Sequence, residues 1–234
     1  TSVKAMILAA GKGERMRPLT LSTPKPLLYA GGKPLIVHHL EHLRRAGFRE
    51  VIINHAWLGD QIEETLGTGE QFGLCLRYSR EGEPLETAGG IVRALPLVTA
   101  GESDWFVVIN GDIWSDFELT KLKPPEQSDA LLVVTDNPPH HPGGDFCLTP
   151  QGVLAESGPD RLTFTGISLL HRRLFEGLTD QAGKLGPVLC KAMGEGRVKG
   201  LYHPGQWVDV GTPERLRALD RQLHSGESGN HGRQ

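Results

Sequence analysis

Short apolar runs alternate along this chain with segments in which apolar residues recur at helical spacing. Residues 3–9 form an apolar run bounded by glycine, which predicts a strand buried on both faces. Residues 34–46 have apolar positions three and four apart and are followed by Gly47, which predicts a helix with a terminating glycine. The same alternation predicts further strands at 50–54, 74–78, 105–109 and 130–135 and further helices at 58–66 and 87–95. Such alternation is typical of a mostly parallel sheet covered by helices on both faces.

The pattern changes after residue 135. A loop rich in proline, histidine and glycine at 136–144 precedes short alternating strands near 145–148, 153–156 and 162–170. These strands predict a small antiparallel lobe laid against the main sheet. Helices near 185–193 and 213–223 bracket a predicted last strand pair at 198–202 and 207–210. We therefore predict an α/β fold with a Rossmann-like, mostly parallel mixed sheet and a ligand crevice between its carboxyl edge and the lobe.

Composition and charge restrict the class of protein further. The 234 residues suit one globular domain, and 25 Lys and Arg against 28 Asp and Glu give a net charge of −3. Because there is no long basic run, we expect neither a nucleic-acid nor a membrane-surface partner. The sequence has no long apolar stretch or signal-peptide pattern, so we expect a cytoplasmic location. Its 3 cysteines are far apart, which favours free thiols over a disulfide.

A glycine-rich turn follows the first predicted strand, in the stretch M-I-L-A-A-G-K-G-E-R-M-R-P-L-T. Gly11 and Gly13 have no Cβ, so a phosphate group can approach the backbone N–H groups of such a turn. Lys12, Arg15 and Lys25 supply the positive charge that a polyphosphate needs, and prolines on both sides of Lys25 restrict its loop. Neither the dinucleotide-binding motif nor the P-loop motif fits this spacing. An ordinary strand-to-helix turn is the alternative interpretation.

Two aspartates lie at the ends of predicted strands in largely apolar surroundings. Asp112 closes the fourth strand in V-I-N-G-D, where an aspartate by itself is more often a turn or helix-cap residue. Asp209 lies in Q-W-V-D-V-G-T-P, where burying an unpaired carboxylate is costly. Mg²⁺ prefers a few carboxylates and completes its octahedron with phosphate oxygens and water. The two side chains therefore predict a magnesium site near the glycine-rich turn.

The segment L-A-A-G-K-G-E-R-M-R-P-L-T, followed by T-P-K-P-L, resembles the signature of the sugar-1-phosphate nucleotidylyltransferases. The resemblance implies the nucleotide-diphospho-sugar transferase fold, with Arg15 and Lys25 acting catalytically on the phosphates. N-G-D and W-x-D-x-G-T are similar to the metal-binding segments of that family, which makes Asp112 and Asp209 the implied Mg²⁺ ligands. The nucleotide-binding residues that the resemblance implies are Leu8, Ala9, Ala10, Gly11, Gly13, Glu81, Leu85, Thr87 and Asn110.

The segment E-G-E-P-L-E-T-A-G-G, after the third strand, resembles the base-reading loop of the family. The resemblance places Glu81 where a residue accepts a hydrogen bond from the ring N–H of the base. A carboxylate there suits uracil, thymine or guanine, whereas solvent-exposed charge is the alternative interpretation of Glu81. Glu86 stands where the family usually has glycine, which leaves the backbone geometry over the base open.

The sugar-binding residues that the resemblance implies lie in the predicted lobe and are Gly144, Asp145, Glu156, Thr165 and Gly166. Thr165 stands where asparagine is common, so the identity of the sugar does not follow from better-known members of the family. His140 and His141 precede these residues in H-H-P-G-G-D-F. A turn histidine is usually solvated, and phosphoryl transfer needs positioning and charge neutralisation more than a general base, so we assign neither histidine a role.

Within that family, the chain looks most similar to the N-acetylmuramate α-1-phosphate uridylyltransferases, through I-N-H-A-W-L-G, E-G-E-P-L-E-T, H-H-P-G-G-D-F and W-V-D-V-G-T. The resemblance runs from Met6 to about Leu223. It implies Mg²⁺-dependent transfer of a uridylyl group from UTP to the sugar 1-phosphate, which gives UDP-MurNAc and pyrophosphate in cell-wall recycling. Mannose-1-phosphate guanylyltransferase and glucose-1-phosphate thymidylyl- or uridylyltransferase are alternatives. A non-catalytic nucleotide-binding regulatory subunit is a further alternative, although such a chain is expected to lose a metal aspartate or a phosphate cation.

The resemblance also implies how the chain is divided. Residues 1–223 form a single nucleotidyltransferase domain, with a nucleotide-binding half at about 1–135 and a sugar-binding lobe at about 136–206. Residues 224–234 are polar, rich in glycine and without apolar residues, which predicts a flexible tail. We expect a monomer or a small homo-oligomer.

Overall fold

The computed structural model of the chain describes the backbone of residues 3–230 and the side chains of residues 3–225. The strands in this part of the chain are β1 Lys4–Leu8, β2 Tyr29–Ala30, β3 Lys33–Pro34, β4 Glu50–His55, β5 Cys75–Arg80, β6 Trp105–Asn110, β7 Ile113–Ser115, β8 Ala130–Thr135, β9 Phe146–Leu148, β10 Leu154–Ala155, β11 Arg161–His171, β12 Val198–Tyr202 and β13 Trp207–Asp209. The α-helices are α1 Leu35–Arg45, α2 Gly59–Leu66, α3 Glu86–Val98, α4 Leu185–Gly194 and α5 Pro213–Asn230. None of these described helices is long and apolar enough to cross a membrane.

Nine of the described strands form one sheet, in the order β10-β9-β11-β6-β1-β4-β5, with β8 beside β11 and β12 beside β8. At its centre β1 lies between β4 and β6, parallel to both, and β5 runs parallel to β4. β11 runs antiparallel to β6 and β8, whereas β12 runs parallel to β8. The predicted mixed, mostly parallel sheet is confirmed, with antiparallel pairing beginning at β11.

Helices cover both faces of this sheet, as predicted. α1 and α2 bury Leu40 and Ile62 in one apolar cluster, and α3 and α4 bury Ile91 and Leu189 in another. Alternate residues of β1, β4 and β6 belong to the two clusters, so the clusters lie on opposite faces of the sheet. A third cluster includes Met16 and residues of α5, and it packs the segment after β1 against the last helix.

The sequence-based pairing of the late strands was wrong. The sequence predicts 198–202 and 207–210 as one pair, but β12 joins β8 in the large sheet while β13 pairs with β7. The predicted antiparallel lobe is continuous with the main sheet, because β11 pairs with β6 along one part of its length and with β9 along another. Alternating hydrophobicity identifies a strand but not its partner, which explains these differences.

The last helix is longer than predicted. α5 ends at Asn230, whereas the sequence predicts a helix end at 223 and a flexible tail from 224. The first part of the predicted tail is therefore helical in the structure, and residues 231–234 lie outside the described part of the chain. α5 contacts the turn between β2 and β3, where the backbone N–H of Gly31 donates a hydrogen bond to Asp220 Oδ1 at 2.8 Å.

Candidate active site

The parallel strands β1, β4 and β6 end at the same edge of the sheet, where Leu8 lies beside Asn54 on one side and Asn110 on the other. Three adjoining cavities open at this edge. The turn cavity, of about 600 Å³, is lined mainly by the glycine-rich segment after β1. The lobe cavity, of about 290 Å³, is lined by the loop before β9 and by β11 and β13, and the helix cavity, of about 200 Å³, lies at the start of α3. Asp112 lines all three cavities.

The glycine-rich turn is held in shape by hydrogen bonds to its backbone. Gly13 has a φ of 65°, and a Cβ placed on it would lie 2.8 Å from Thr20 Cγ2, so both conformation and space require glycine. The Thr20 hydroxyl donates to the Gly13 carbonyl at 2.6 Å, and Trp57 Nε1 donates to the Thr20 carbonyl at 2.9 Å. A Cβ on Gly11 would meet no atom within 4 Å, so this part of the cavity wall leaves room for a ligand.

The predicted phosphate cations line the turn cavity together. Lys25 is largely buried, with 14% of its side chain exposed, and its Nζ lies 3.4 Å from Asp112 Oδ2. Arg15 is exposed and lines the same cavity. Lys12, the third predicted cation, lines the same cavity, and its Nζ lies 3.7 Å from Glu83 Oε2. This pairing, which was not predicted, joins the glycine-rich turn to the segment after β5. The turn cavity therefore brings three cationic side chains together beside the Asp112 carboxylate.

The two predicted metal aspartates lie close together: Asp112 immediately precedes β7, and Asp209 is the last residue of β13, which pairs with β7. Gly111 donates its N–H to the Leu8 carbonyl at 2.9 Å, and a Cβ on Gly111 would lie 2.6 Å from that oxygen, so glycine is required immediately before Asp112. Asp209 is in register with Ile113 in the β13–β7 pair, and both aspartates line the lobe cavity. No group of three or more His, Cys, Asp or Glu in the described part of the chain is arranged to hold a metal ion by itself. Two carboxylates fit an ion that takes its other ligands from phosphates and water.

Asp209 has two cationic or potentially cationic neighbours that the sequence did not indicate. His140 Nε2 lies 2.9 Å from Asp209 Oδ1, although the two residues belong to separate segments. Arg215, in the first turns of α5, has its Nε 3.4 Å from the same oxygen. The loop before β9 and helix α5 therefore both reach the Asp209 carboxylate.

Glu81 is buried, with 8% of the residue exposed, so the alternative of a solvent-exposed charge is wrong. Its Oε2 accepts a hydrogen bond from Asn54 Nδ2 at 2.8 Å, and its Oε1 accepts one from the Leu85 N–H at 3.0 Å. Asn54 Oδ1 in turn accepts from the Ala9 N–H at 2.8 Å. Asn54, which we did not predict, thus connects β1 to Glu81. Its signal in the sequence is a polar residue at the carboxyl end of an apolar strand, the same signal that Asn110 gives.

The start of α3 is fixed by the segment that precedes α4. Glu86 has a φ of 59°, so it adopts the left-handed conformation that favours glycine, the residue that the family usually has there. Thr87 Oγ1 accepts a hydrogen bond from the Leu185 N–H at 2.9 Å. Glu81, Glu86, Thr87, Ala10 and Asn110 line the helix cavity, whereas Leu85 contributes its backbone to Glu81 and does not line the cavity.

In the predicted sugar-binding set, Asp145 and Thr165 line the lobe cavity. Asp145 Oδ2 accepts from the Phe164 N–H at 2.8 Å, and its Oδ1 lies 3.0 Å from His141 Nε2. Thr165 is buried, and its hydroxyl donates to the Val133 carbonyl at 2.7 Å, so this hydroxyl bonds the sheet instead of facing the cavity.

The other three predicted sugar residues do not line the lobe cavity. Gly144 and Gly166 both have positive φ, and Gly166 leaves space for Asn110, whose Nδ2 would lie 2.7 Å from an added Cβ. Glu156 lies beside Cys190 of α4, where burial and, secondarily, the Glu156 carboxylate raise the pKa of the Cys190 thiol.

A glycine-rich turn, cations and two aspartates at this edge of the sheet are the features of a nucleotidyl transferase. The family model described as nucleotidyl transferase matches residues 4–142, and the chain belongs to that family. The resemblance to sugar-1-phosphate nucleotidylyltransferases is confirmed, and members of the family typically use a divalent metal ion.

Two similar proteins have the same name, N-acetylmuramate alpha-1-phosphate uridylyltransferase. The one from Neisseria meningitidis serogroup B is 49% identical, and the match covers 92% of this chain and 96% of that protein. The one from Caulobacter vibrioides is 32% identical over 94% of this chain and 96% of that protein. A crystal structure of a Bacillus anthracis protein, assigned as a glucose-1-phosphate thymidylyltransferase, has the same fold, with a TM-score of 0.80 at 22% identity over 94% of this chain and 95% of that one.

Proposed function

We propose that this enzyme transfers a uridylyl group from UTP to N-acetylmuramic acid α-1-phosphate, giving UDP-MurNAc and pyrophosphate. The names of two relatives that match nearly the whole chain support this choice of substrates. The observation that best supports the reaction is the position of Asp112, which lines all three cavities and lies 3.4 Å from Lys25. We propose a place in peptidoglycan recycling; the cytoplasmic location and the monomer or small homo-oligomer stay predictions.

Each cavity suits one part of the reacting pair. In the proposal, the helix cavity holds the uracil base, the turn cavity the triphosphate and the lobe cavity the sugar 1-phosphate. An oxygen of the sugar 1-phosphate forms a bond to the α-phosphorus of UTP while the bond from that phosphorus to pyrophosphate breaks. The attacking oxygen is already an anion, so no base has to remove a proton, and positioning with charge neutralisation is sufficient.

Lys25 and Arg15 are the proposed catalytic cations. Both line the turn cavity, where they offset the repulsion between the incoming sugar phosphate and the triphosphate. Lys25 is suited to the α-phosphate because its ammonium group lies next to Asp112, at the point where the three cavities meet. The backbone at Leu8, Ala9, Gly11 and Gly13 completes the proposed phosphate contacts.

Asp112 and Asp209 are the proposed Mg²⁺ ligands. Asp112 immediately precedes β7 and Asp209 ends β13, so the pairing of these two strands brings both carboxylates to the lobe cavity beside the proposed phosphates. Bound there, Mg²⁺ supplies positive charge to the phosphate oxygens. Arg215 Nε lies 3.4 Å from Asp209 Oδ1 and adds positive charge beside this carboxylate.

Glu81 is the proposed acceptor for the ring N–H of uracil. Both of its oxygens already accept one hydrogen bond from the protein, but each carboxylate oxygen can accept two. Asn54 and the Leu85 N–H thus orient the carboxylate, and a lone pair stays available to the base. In the lobe cavity, Asp145 and the Thr165 backbone are the proposed sugar contacts.

A matrix of initial rates tests this proposal. Pyrophosphate release is measured with Mg²⁺ for UTP, CTP, GTP and dTTP against the 1-phosphates of N-acetylmuramic acid, N-acetylglucosamine, glucose and mannose. We expect the highest kcat/KM for UTP with N-acetylmuramic acid α-1-phosphate. A higher value for GTP with mannose 1-phosphate would make the enzyme a guanylyltransferase, and no release with any pair would favour the non-catalytic regulatory subunit.

A further inference from the structure

The lobe cavity has an acidic wall. Three of its lining side chains are carboxylates, Asp112, Asp145 and Asp209, and among the described residues that line it only His140 and His141 can carry positive charge. The proposed sugar substrate has a lactyl carboxylate in addition to its 1-phosphate. A second anion that enters such a wall is repelled unless a hydrogen-bond donor receives it.

The two histidines have different partners. His141 Nε2 lies 3.0 Å from Asp145 Oδ1, within the same loop, and the other oxygen of Asp145 accepts from the Phe164 N–H at 2.8 Å. His141 therefore fixes the shape of the loop against β11. His140 instead reaches Asp209 on β13, with Nε2 at 2.9 Å from Oδ1, and 38% of its side chain is exposed.

We propose that His140 is a specificity-determining residue that donates a hydrogen bond to the lactyl carboxylate of the sugar. This inference rests on the proposed function. The contact with Asp209 shows that the imidazole can meet a carboxylate at the cavity wall in good hydrogen-bond geometry. The imidazole is partly exposed at this wall, so a carboxylate that enters the cavity can replace Asp209 as the acceptor for its Nε2.

A purely positioning role for His140 is the rival explanation. If the imidazole only orients Asp209, its loss should lower kcat/KM for every sugar 1-phosphate by the same factor. The proposed role of Asp209 is toward the phosphates, which all of these substrates share. If His140 binds the lactyl carboxylate, its loss should lower kcat/KM for N-acetylmuramic acid α-1-phosphate much more than for N-acetylglucosamine 1-phosphate, which lacks that group. The ratio of kcat/KM for these two sugars separates the explanations.

The experiment compares His140→Ala with His141→Ala as the matched neighbour, using UTP and both sugars. We expect His140→Ala to lower the ratio for N-acetylmuramic acid over N-acetylglucosamine at least about tenfold, as for a lost charge-assisted hydrogen bond. His141→Ala should change the ratio by less than about twofold, because a change in the loop before β9 affects kcat/KM for both sugars alike. An unchanged ratio in His140→Ala overturns the inference.

Product binding gives a readout that needs no turnover. We expect calorimetry to show that His140→Ala weakens the binding of UDP-MurNAc more than that of UDP-GlcNAc, with the ratio of the two dissociation constants changed by at least about tenfold. Equal weakening of both products contradicts the inference. Failure of the proposed function is distinguishable, because the wild-type enzyme would then prefer another pair of substrates. If the wild type prefers N-acetylmuramic acid and His140→Ala keeps that preference, only the inference about His140 fails.

Discussion

Glu81 is the residue on which the geometry of the helix cavity most depends. Replacing it with leucine leaves the Asn54 side-chain amide and the Leu85 N–H without their acceptor in a buried site. Each unpaired donor costs about 1–3 kcal/mol, so we expect Glu81→Leu to lower the free energy of unfolding by at least about 2 kcal/mol in urea denaturation.

Glu81→Gln serves as the control, because it keeps one acceptor oxygen and is expected to lose less stability. It should also retain use of UTP, so the effect of this position on base choice can be read in a folded protein. Wild-type stability in Glu81→Leu would show that the Asn54 and Leu85 hydrogen bonds do not hold the segment after β5.

At the level of single residues, the sequence predicted those site residues that belong to a short local motif. The glycines of the turn, Lys25, Asp112 and Asp209 were recognisable from short segments, and the structure brings them to the same edge of the sheet. Asn54 and His140 could not be chosen in this way, since their importance comes from partners far along the chain. Contacts between distant segments depend on how strands pair, which the spacing of residues within one motif does not reveal.

Among the elements, the glycine-rich turn depends on α2 and the residues before it. Trp57 Nε1 donates to the Thr20 carbonyl at 2.9 Å, and Gln61 Nε2 donates to the Ser22 carbonyl at 2.8 Å. These contacts hold the segment between Arg15 and Lys25, the two proposed catalytic cations. Trp57→Phe removes one N–H donor while keeping an aromatic ring in place.

We expect Trp57→Phe to lower kcat by up to about fivefold and the thermal midpoint by about 2–4 °C, because a net hydrogen bond of about 1 kcal/mol has been lost from the loop that positions the cations. Tyr202→Phe is the matched control, since it removes an exposed hydroxyl that bonds Asp136. Steady-state kinetics with UTP measure both. An unchanged kcat in Trp57→Phe would mean that the turn keeps its shape without the indole donor.

Helix α1 contains three histidines whose pKa values are lowered by burial. The pKa of His39 and that of His42 fall from 6.5 to about 4, and that of His38 is also lowered. Between pH 6.5 and about pH 4 the unfolded chain binds more protons at these histidines than the folded chain does. Their contribution to the free energy of unfolding is therefore fully present above about pH 6.5 and is lost as the pH falls toward 4.

We therefore expect the urea midpoint to decrease when the pH is lowered from 7.5 to 5. A fully buried histidine accounts for a loss of about 2 kcal/mol in the free energy of unfolding at pH 5. His39→Gln removes one of the titrating groups and should flatten this dependence. A midpoint that stays constant or rises as the pH falls to 5 would contradict the low pKa values.

Elements were easier to predict than their partners. Residues 130–135 and 198–202 were predicted as strands at the bounds that the structure has, yet their parallel pairing was not foreseen. Pairing of these two strands depends on β11 and α4 lying between them in the chain, and the hydrophobic pattern of either strand alone contains no information about that connection.

For the molecule as a whole, the sheet and its two helical layers followed from the alternation of apolar runs, and the family resemblance followed from its motifs. The shape of the site depends on two long-range arrangements. β13 pairs with β7, which brings Asp209 close to Asp112, and the loop before β9 crosses to Asp209 through His140. Both arrangements unite the two halves of the chain at one edge of the sheet, and the proposed reaction requires them.

The initial rate of UDP-MurNAc formation by Asp112→Asn, at saturating Mg²⁺ and both substrates, tests whether the reaction takes place at this edge of the sheet. Asp112 lines all three cavities, so we expect a loss of about a hundredfold or more, with the folded state retained in circular dichroism. Asp60→Asn, at an exposed aspartate in the first turn of α2, is the control and should keep the wild-type rate. A near-wild-type rate in Asp112→Asn would show that the reacting phosphates and metal ion do not meet at this carboxylate.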